Sequence, residues 1–388
     1  MRGKVKSVPL LDLKAQYAGL RDEIRRVMDE VCDAQYFILG PKVVEFEKHV
    51  AEYCGTADAV GVSSGSDALL ISLMALGVGA GDAVLTTPYT FFATVGAICR
   101  LGAVPIFADI DEVSFNIDAA SARKALELFR SRCPEVNVKA MIPVHLYGQA
   151  ADMGPLLELA AEYGLHVVED GAQAIGVEYM LDGKAVRVGS MGDVGCFSFF
   201  PSKNLGGFGD GGIVTVNDAA LAEKMRILRN HGSSPKYYHS MVGGNFRLDA
   251  LQAAVLDVKL GYLEEWHAAR RENAAYYEEL FAGSAVRVPV AVNRDSGVLN
   301  YHIYNQFVVR VPRRDEAKQA LLDANIGCDI YYPVPLHMQE CFADLGYRSG
   351  DFPVSERAAE ESLALPIYPE ITREMQEYVA ETLIRAVS

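Results

Sequence analysis

The chain lacks the usual sequence marks of a secreted, membrane-spanning or metal-binding protein. Its seven cysteines are odd in number and scattered, and no two form a C-x-x-C pair, which argues against a disulfide framework and a zinc site. No apolar run approaches the roughly 20 residues that cross a bilayer, and the basic N-terminal stretch, residues 1–14, lacks the apolar core of a signal peptide. We therefore expect a cytoplasmic protein with no metal site and no membrane partner.

Positive charge is also scarce. The chain has 36 lysines and arginines against 51 acidic residues, for a formal net charge of −15 at pH 7. A surface of this sign disfavours nucleic acid and anionic membranes as partners. If the substrate is a small anion, local basic groups or backbone amides must bind it against the overall field of the protein.

The 388 residues, half of them apolar, suffice for one large domain and a smaller one. From residue 59 onward, short apolar runs alternate with helical patterns, which is typical of a mainly parallel sheet covered on both faces. The predicted strands are 59–62, 83–86, 104–108, 138–143, 165–169, 194–199 and 212–216. The predicted helices between them are 67–76, 92–101, 119–131, 154–163 and 219–229. No helix separates the last two strands, so we expect them to form an antiparallel edge.

Helical patterns also flank this α/β unit. Helices over 17–35 and 42–54 precede the first strand and should pack outside the main sheet, and long helices follow over 248–280. A smaller α/β unit comes last, with strands near 304–311 and 328–332 and helices near 314–324, 355–362 and 372–387. We predict two domains, 1–257 and 258–388, divided within a helix.

The stretch 195–212 contains one lysine, Lys203, after a short apolar strand and Pro201, and five glycines fill positions 204–212. Four phenylalanines surround the lysine in sequence, namely Phe197, Phe199, Phe200 and Phe208. A lysine held among apolar side chains has a lowered pKa, which makes its amine nucleophilic toward carbonyls. The alternative is a solvated lysine on a hairpin.

Asp170 ends the predicted strand that begins at 165, where ligands bind in open α/β sheets. An aspartate in this position can also be a helix cap or a turn former. An aspartate at a strand end and a lysine after a later strand are the pair that pyridoxal phosphate (PLP) requires, one to keep the pyridine nitrogen protonated and one to form the Schiff base. An opposite charge in contact shifts a pKa by about 1–3 units, or roughly 1.4–4 kcal/mol.

Four long motifs carry a resemblance to a known family. The segments 143–153 (PVHLYGQAADM), 167–174 (VVEDGAQA), 197–212 (FSFFPSKNLGGFGDGG) and 243–254 (GGNFRLDALQAA) resemble those of the DegT/StrS-type nucleotide-sugar aminotransferases. The similarity runs in order from 12–17 to 331–337. It implies a PLP-dependent transferase of fold type I, with a mainly parallel seven-stranded sheet flanked by helices and a smaller C-terminal α/β domain.

The resemblance assigns several residues to the cofactor. Gly65, Ser66 and Asp67 match the turn that holds the cofactor phosphate, and the start of a helix is itself an anion site. The alternative is a plain helix cap by Ser66 or Asp67. Ser198 matches a second phosphate ligand, although a buried serine can also bond only to backbone.

Three further residues match the cofactor contacts of the family. Phe91 takes the place that stacks on the pyridine ring, with core packing and the neighbouring Phe92 as alternatives. Gln173 matches the side chain near the ring hydroxyl. Asn245 matches an asparagine that reaches the phosphate of the neighbouring subunit, which implies a homodimer with active sites at the subunit interface.

The candidate substrate residues fall in two segments. His231, Lys236, Tyr238 and His239 supply the basic and aromatic groups expected to bind a sugar pyrophosphate, and a solvated loop is the alternative. Tyr331, Tyr332 and His337 match the substrate side of the family in the smaller domain. Together they favour a nucleotide sugar as substrate.

The resemblance implies a PLP-dependent aminotransferase that moves an amino group from L-glutamate to a nucleotide-linked keto-sugar, with a preference for a 3-keto UDP- or dTDP-sugar. In it Lys203 is the general base, a role worth about 10²–10⁴-fold in rate. One alternative is a PLP-dependent sugar dehydratase, but similar dehydratases have histidine in place of this lysine. The other is a regulatory protein without turnover, which the intact set of Lys203, Asp170, Gln173 and Ser198 disfavours.

Overall fold

A central sheet and a small two-stranded sheet organise the computed structural model, which describes Val5 and residues 7–388. Residues 1–4 and 6 belong to the stretch considered above for a signal peptide and lie outside the described residues. The strands of the described part are β1 (Asp58–Val62), β2 (Asp82–Thr86), β3 (Val104–Phe107), β4 (Asn137–Met141), β5 (His166–Asp170), β6 (Glu178–Leu181), β7 (Lys184–Arg187), β8 (Val194–Ser198), β9 (Gly212–Val216), β10 (Phe307–Arg310) and β11 (Ser362–Leu365).

The seven predicted strands of the larger unit all form, close to their predicted bounds, in the order β1-β9-β8-β5-β4-β2-β3. The pairs from β8 through β5, β4 and β2 to β3 are parallel, which confirms the mainly parallel seven-stranded sheet. β8 and β9 are antiparallel as predicted, but the prediction that they form an edge is wrong. β9 also pairs antiparallel with β1, because its five residues are all buried and both sides of the strand need a hydrogen-bonding partner.

Helices cover both faces of this sheet. The helices of the described residues are α1 (Leu13–Ala34), α2 (Pro41–Cys54), α3 (Gly65–Ala75), α4 (Phe92–Arg100), α5 (Ala119–Arg132), α6 (Met153–Tyr163), α7 (Ala219–Arg229), α8 (Ala250–Leu260), α9 (Leu263–Phe281), α10 (Arg314–Asp323), α11 (Pro353–Glu361) and α12 (Arg373–Val387). No helix among these residues is long and apolar enough to cross a membrane.

The strands divide their side chains between two cores. On β8, Val194 and Cys196 pack with α3, α4 and α7, whereas Phe197 packs with α2, α6 and α8 on the other face. This alternation follows from the two-residue period of a strand. The early helices lie outside the sheet as expected, with α1 packed on α8 and its Ile24 fully buried.

The smaller unit pairs β10 with β11 antiparallel. The predicted strand at 328–332 is wrong: Asp329 makes only an isolated bridge to Ala364, because Pro333 and Pro335 interrupt the segment and proline cannot donate to a ladder. β11 takes the place beside β10. Its four residues directly follow α11, so their apolar pattern cannot be told from a last helical turn.

Two further details were not predicted. β6 and β7 form a hairpin with Asp182 and Gly183 at positive φ in its turn, the D-G signal of a tight hairpin. The helical stretch 248–280 is divided at Gly261 into α8 and α9. α9 packs Leu263 in the larger core and Phe281 in the smaller one, and the division between residues 257 and 258 stays a prediction.

Candidate active site

A cavity of about 440 Å³ lies at the carboxyl ends of β1, β2, β5 and β8. This is the position at which open α/β sheets bind ligands. The fold brings residues far apart in sequence to its wall. The predicted site residues that line it are Gly65, Ser66, Phe91, Asp170, Gln173, Ser198, Lys203, Tyr331 and Tyr332.

Asp170 ends β5 with its carboxylate at the cavity and only 5% of its surface exposed. One carboxylate oxygen, Oδ2, accepts a hydrogen bond of 2.7 Å from the Thr94 hydroxyl. The other accepts one of 3.2 Å from the Ala172 amide. Burial raises the pKa of the Asp170 carboxyl above its usual value, although these two bonds and the nearby Lys203 amine act in the opposite direction.

The neighbouring carboxylate, Glu169, points to the other face of β5 and is fully buried. Its Oε1 accepts hydrogen bonds from the amides of Met191 at 2.8 Å and Gly192 at 2.7 Å. Its Oε2 accepts from the Gly189 amide at 2.9 Å and lies 3.0 Å from Nε2 of His145. These contacts hold the end of β5, and therefore the position of Asp170, from below the cavity.

Lys203 lies in a tight turn between β8 and β9, which we call the lysine turn (residues 199–209). The Lys203 amide donates to the Phe200 carbonyl at 2.9 Å, and the Gly207 amide donates to the Phe199 carbonyl at 2.8 Å. Burial lowers the pKa of the Lys203 amine to about 8, and the Asp170 carboxylate opposes this shift. A large share of the amine is therefore neutral, and able to act as a base, near pH 8.

The turn between β1 and α3 supplies hydrogen-bond donors at the opposite wall. Ser64 caps α3, since its hydroxyl accepts from the Asp67 amide at 3.0 Å; the cap by Ser66 or Asp67, the alternative given above, is wrong. The Asp67 carboxylate accepts hydrogen bonds from the hydroxyls of Ser63 and Ser64 and does not line the cavity. The first amides of α3 have no partner within the helix and remain available to an anion.

Gly65 lets this turn approach β8. A Cβ atom added at Gly65 would lie 2.5 Å from Cβ of Ser198, closer than side-chain atoms approach. The missing side chain therefore brings the N-terminus of α3 and the Ser198 hydroxyl to one end of the cavity. Ser66 lines the same end.

Aromatic and amide side chains form the remaining walls. Phe91 is 57% exposed at the start of α4, with its ring centroid 6.1 Å from that of Tyr332. Gln173 donates to the Tyr332 hydroxyl at 3.1 Å and accepts from the Tyr147 amide at 2.6 Å. Phe92, the alternative to Phe91, instead stacks on Phe342 with centroids 5.4 Å apart.

Tyr331 and Tyr332 bring the smaller unit to the cavity. The Tyr331 carbonyl accepts hydrogen bonds from the hydroxyls of Tyr89, at 2.8 Å, and of Tyr147. The Tyr332 amide donates to the Tyr89 hydroxyl at 3.2 Å. The segment is thus fastened by side chains that follow β2 and β4.

The other candidate residues do not line this cavity. His337 is buried in the smaller unit, 3.1 Å from Glu356 and against the Phe352 ring. The rest lie on one exposed segment, residues 230–245, which we call the outer loop. Its candidate residues are His231, Lys236, Tyr238, His239 and Asn245.

Sequence reasoning missed Gln306 and Thr94. Gln306 lines the cavity, and its Oε1 atom is buried without a hydrogen-bond partner among the described residues. It directly precedes β10, so no local pattern connects it with the ends of β1 and β8. The hydrogen bond from Thr94 to Asp170 could have been suspected, because Thr94 lies in the first turn of α4, three residues after the candidate Phe91.

The donor set of the cavity fits pyridoxal phosphate. Backbone amides and hydroxyls at Gly65, Ser66 and Ser198 suit a phosphate, and Asp170 provides a carboxylate for a pyridinium nitrogen. Lys203 provides the amine that a cofactor aldehyde needs. Among the described residues, no cluster of three or more histidines, cysteines or acidic side chains is arranged to hold a metal ion.

Comparison with known proteins finds one family along nearly the whole chain. Residues 19–384 match the model of the DegT/DnrJ/EryC1/StrS aminotransferase family. The chain is 47% identical to the pleiotropic regulatory protein of Geobacillus stearothermophilus, over 97% of this chain and 98% of that one. It is 41% identical to the UDP-N-acetyl-3-dehydro-alpha-D-glucosamine 3-aminotransferase of Acidithiobacillus ferrooxidans, over 98% of each. The crystal structure of S. venezuelae DesV superposes with a TM-score of 0.90 at 40% identity, over 98% of each chain.

Proposed function

Because the chain belongs to the DegT/DnrJ/EryC1/StrS aminotransferase family, we propose that it is a PLP-dependent enzyme that moves an amino group from L-glutamate to a nucleotide-linked keto-sugar. The observation that carries this proposal is the convergence of Lys203, Asp170 and the N-terminus of α3 on one cavity. Each of the three could be explained alone as a surface lysine, a turn residue or a helix cap. Their convergence from separate strand ends matches the needs of one cofactor.

Within this proposal, bound PLP supplies an electron sink for bonds at the amine-bearing carbon. The carboxylate of Asp170 would bind the pyridine nitrogen in its protonated form and raise the pKa of that nitrogen by about 1–3. The backbone amides of Gly65 and Ser66 and the hydroxyl of Ser198 would bind the phosphate. Gln173 and Phe91 would orient the ring.

Lys203 has two tasks. Its Nζ atom would hold the cofactor, and the free amine would take the proton from the amine-bearing carbon of the donor. In the second half of the reaction it would deliver a proton to the sugar carbon that receives the amino group. A positioned base of this kind contributes about 10²–10⁴-fold. The lowered pKa of about 8 keeps enough neutral amine for both tasks near neutral pH. Tyr332 and Phe91 line the same cavity as Lys203, with their ring centroids 6.1 Å apart.

For the sugar, we propose a 3-keto UDP- or dTDP-sugar as the acceptor. The relative from A. ferrooxidans, 41% identical along 98% of the chain, is named for amination at carbon 3 of a UDP-sugar. The two alternatives are weaker. A dehydratase of similar type has histidine at the position of Lys203. A regulatory protein without turnover, which the name of the Geobacillus relative suggests, has no need for Lys203 and Asp170 to line one cavity.

The reaction run in reverse tests the substrate. UDP-, dTDP- and GDP-linked amino-sugars are offered with 2-oxoglutarate, and the formation of glutamate is measured. We expect turnover with 3-amino UDP- or dTDP-sugars and none with the Lys203→Ala variant, which serves as the control. If only free amino acids react, the sugar assignment is wrong, and if the wild-type protein binds PLP without reacting with any donor, the aminotransferase proposal fails.

We also propose that two copies form a homodimer in which each active site uses Asn245 of the other copy. Asn245 lies on the outer loop, where Val242 is 88% exposed and so is free to pack against a second copy. His231, Lys236, Tyr238 and His239 lie on the same loop and would reach the sugar nucleotide together with Tyr331 and Tyr332. His337 is buried beside Glu356 and Phe352 and does not line the cavity. We propose the cytoplasm as the place of the reaction, and the seven unpaired cysteines support this.

Mixed dimers test this arrangement. Lys203→Ala and Asn245→Ala homodimers should each be nearly inactive, because each lacks one part of both sites. When the two variants pair at random, half of the dimers are mixed, and each mixed dimer holds one complete site of two. The mixture should therefore regain about one quarter of the wild-type activity. If mixing restores nothing, Asn245 acts within its own chain or not at all.

A further inference from the structure

A second buried lysine, Lys259, contacts the lysine turn from below. It lies on α8, it is 2% exposed, and its Nζ atom donates to the Gly206 carbonyl at 2.6 Å. The amine also lies 5.3 Å from the centroid of the Phe208 ring. Gly206 and Phe208 both belong to the lysine turn, only a few residues after Lys203.

Gln252 contacts the same turn from the same side of α8. Its Oε1 accepts from the Phe208 amide at 2.7 Å. Gln252 and Lys259 are seven residues apart, which is two helical turns, so they share one face of the helix. One helix thus binds two polar groups of the turn that lie two residues apart, the Gly206 carbonyl and the Phe208 amide.

The turn is packed too tightly to adjust on its own. A Cβ atom at Gly206 would lie 2.3 Å from the Pro201 carbonyl oxygen, so the two arms of the turn are in direct contact. A shift of the Gly206 carbonyl would therefore move Pro201. Lys203 follows Pro201 by two residues and would move with it.

The amine of Lys259 is buried at a cost, because burial lowers its pKa to about 8 and so disfavours the charged form. An apolar side chain of similar length would avoid that cost, but it would leave the Gly206 carbonyl without its partner. A buried amine whose hydrogen bond goes to the reactive turn points to a role in the position of that turn.

We propose that Lys259 and Gln252 are positioning residues, which fix the Gly206 carbonyl and the Phe208 amide so that Lys203 meets the cofactor aldehyde and the substrate in reactive geometry. This inference rests on the proposed role of Lys203. Nothing in it requires Lys259 to touch the cofactor or the substrate.

The test measures covalent capture of PLP on Lys203. Cofactor-free protein is mixed with PLP, trapped with borohydride at timed intervals and analysed by peptide mass spectrometry. For Lys259→Met, which keeps the length of the stem and removes the amine, we expect capture and kcat to fall about 10-fold or more, as a displacement of an ångström can cost up to about 10². KM for the sugar substrate should stay within about two-fold, since ground-state binding is unchanged.

Lys224→Met is the matched control. Lys224 on α7 makes the same kind of bond, from Nζ to the Ala75 carbonyl at 2.6 Å, far from the lysine turn. We expect its capture rate to equal that of the wild type. Thermal unfolding of the cofactor-free proteins separates position from stability, because each lysine variant loses one bond to a carbonyl and should lose some stability, while only Lys259→Met should capture slowly.

Wild-type capture by Lys259→Met, or equal loss in the two lysine variants, overturns the inference and leaves the proposed function intact. If the wild-type protein itself captures no PLP on Lys203, the proposed function fails as well. If Lys259→Met does not fold, Gln252→Ala decides in its place: slower capture with normal unfolding supports the inference, and unchanged capture overturns it.

Discussion

The cavity wall and the outer loop differ in how firmly their polar side chains are held. In the wall, Asp170 and Gln173 are 5% and 6% exposed, and each makes hydrogen bonds to separate elements of the fold. In the outer loop, Tyr238 is 71% exposed, and the polar contact of the His239 ring is to the His231 carbonyl of the same loop. A rigid wall suits a cofactor that is the same in every reaction cycle. An exposed loop can be shaped by its partner or its substrate.

We expect the largest effect from removing the negative charge of Asp170 in the cavity wall. We expect Asp170→Asn to lower kcat by about 10–10³-fold, because losing the charge lowers the pKa of the pyridine nitrogen by about 1–3 units. Steady-state kinetics with saturating donor measure this. The apparent KM for the sugar nucleotide should hardly move, since no outer-loop residue has changed. A variant that turns over at the wild-type rate would show that Asp170 does not serve the cofactor.

A smaller effect is expected when a side chain is added at Gly65, at the end of the cavity next to Ser198. In Gly65→Ala the new Cβ would lie 2.5 Å from Ser198, so the phosphate end must open. Overpacking typically costs about 1–3 kcal/mol, and we expect the Kd for PLP to rise about 10–100-fold. Equilibrium titration of cofactor-free protein measures it. Gly79→Ala is the control, because nothing lies within 4 Å of a Cβ at that position, and equal effects of the two variants would contradict a phosphate site at Gly65.

The outer loop should respond in KM alone. We expect Tyr238→Ala to raise KM for the sugar nucleotide about 5–10-fold, the size of one hydrogen bond, and to leave the reaction with the amino donor unchanged. Separate measurement of the two half-reactions tests this. Tyr237→Ala, next to it and more exposed, is the control. Loss of the donor half-reaction in Tyr238→Ala would mean that the wall and the outer loop do not divide the work in this way.

The effect least visible in turnover is a pH dependence of stability. Burial lowers the pKa of Lys203 from 10.5 to about 8 in the folded protein. Between these values the unfolded chain binds more protons than the folded one at this residue, so its contribution to the free energy of unfolding rises with pH. Below pH 8 the buried charge destabilises the fold, and the cofactor-free Lys203→Met variant should be more stable than the wild type. Denaturant unfolding should show this gap closing as the pH rises above 8, and a gap constant with pH would contradict the lowered pKa.

Much of the wall follows from local sequence signals. Strand-and-helix alternation placed the seven strands of the main sheet, and an aspartate at one strand end with a lysine after another marked the two ends of the cavity. Local signals suffice here because the carboxyl ends of parallel strands lie at one edge of the sheet, so residues that follow different strands meet there. The expectations drawn from the seven cysteines and from the charge balance rest on composition alone.

What the sequence left out depends on distant contacts. Gln306 reaches the cavity because β10 and the segment before it pack beside Tyr147, and no periodicity records such a contact. The four residues of β11 follow a helix without a break, so only their pairing with β10 reveals a strand. Pro333 and Pro335 prevented a strand at 328–332, although the tyrosines at 331 and 332 favour strands. For the outer loop, the sequence indicated chemistry but not position.

Glu169 has a consequence for anyone who would transplant this site into another scaffold. Its carboxylate accepts from the amides of Gly189, Met191 and Gly192 and from His145, all without touching the cavity. A graft that copied only the residues lining the cavity would omit these hydrogen bonds. The end of β5 could then shift, and the Asp170 carboxylate would shift with it. The smallest unit that can be transplanted is therefore β5 together with residues 189–192, whose amides bind Glu169.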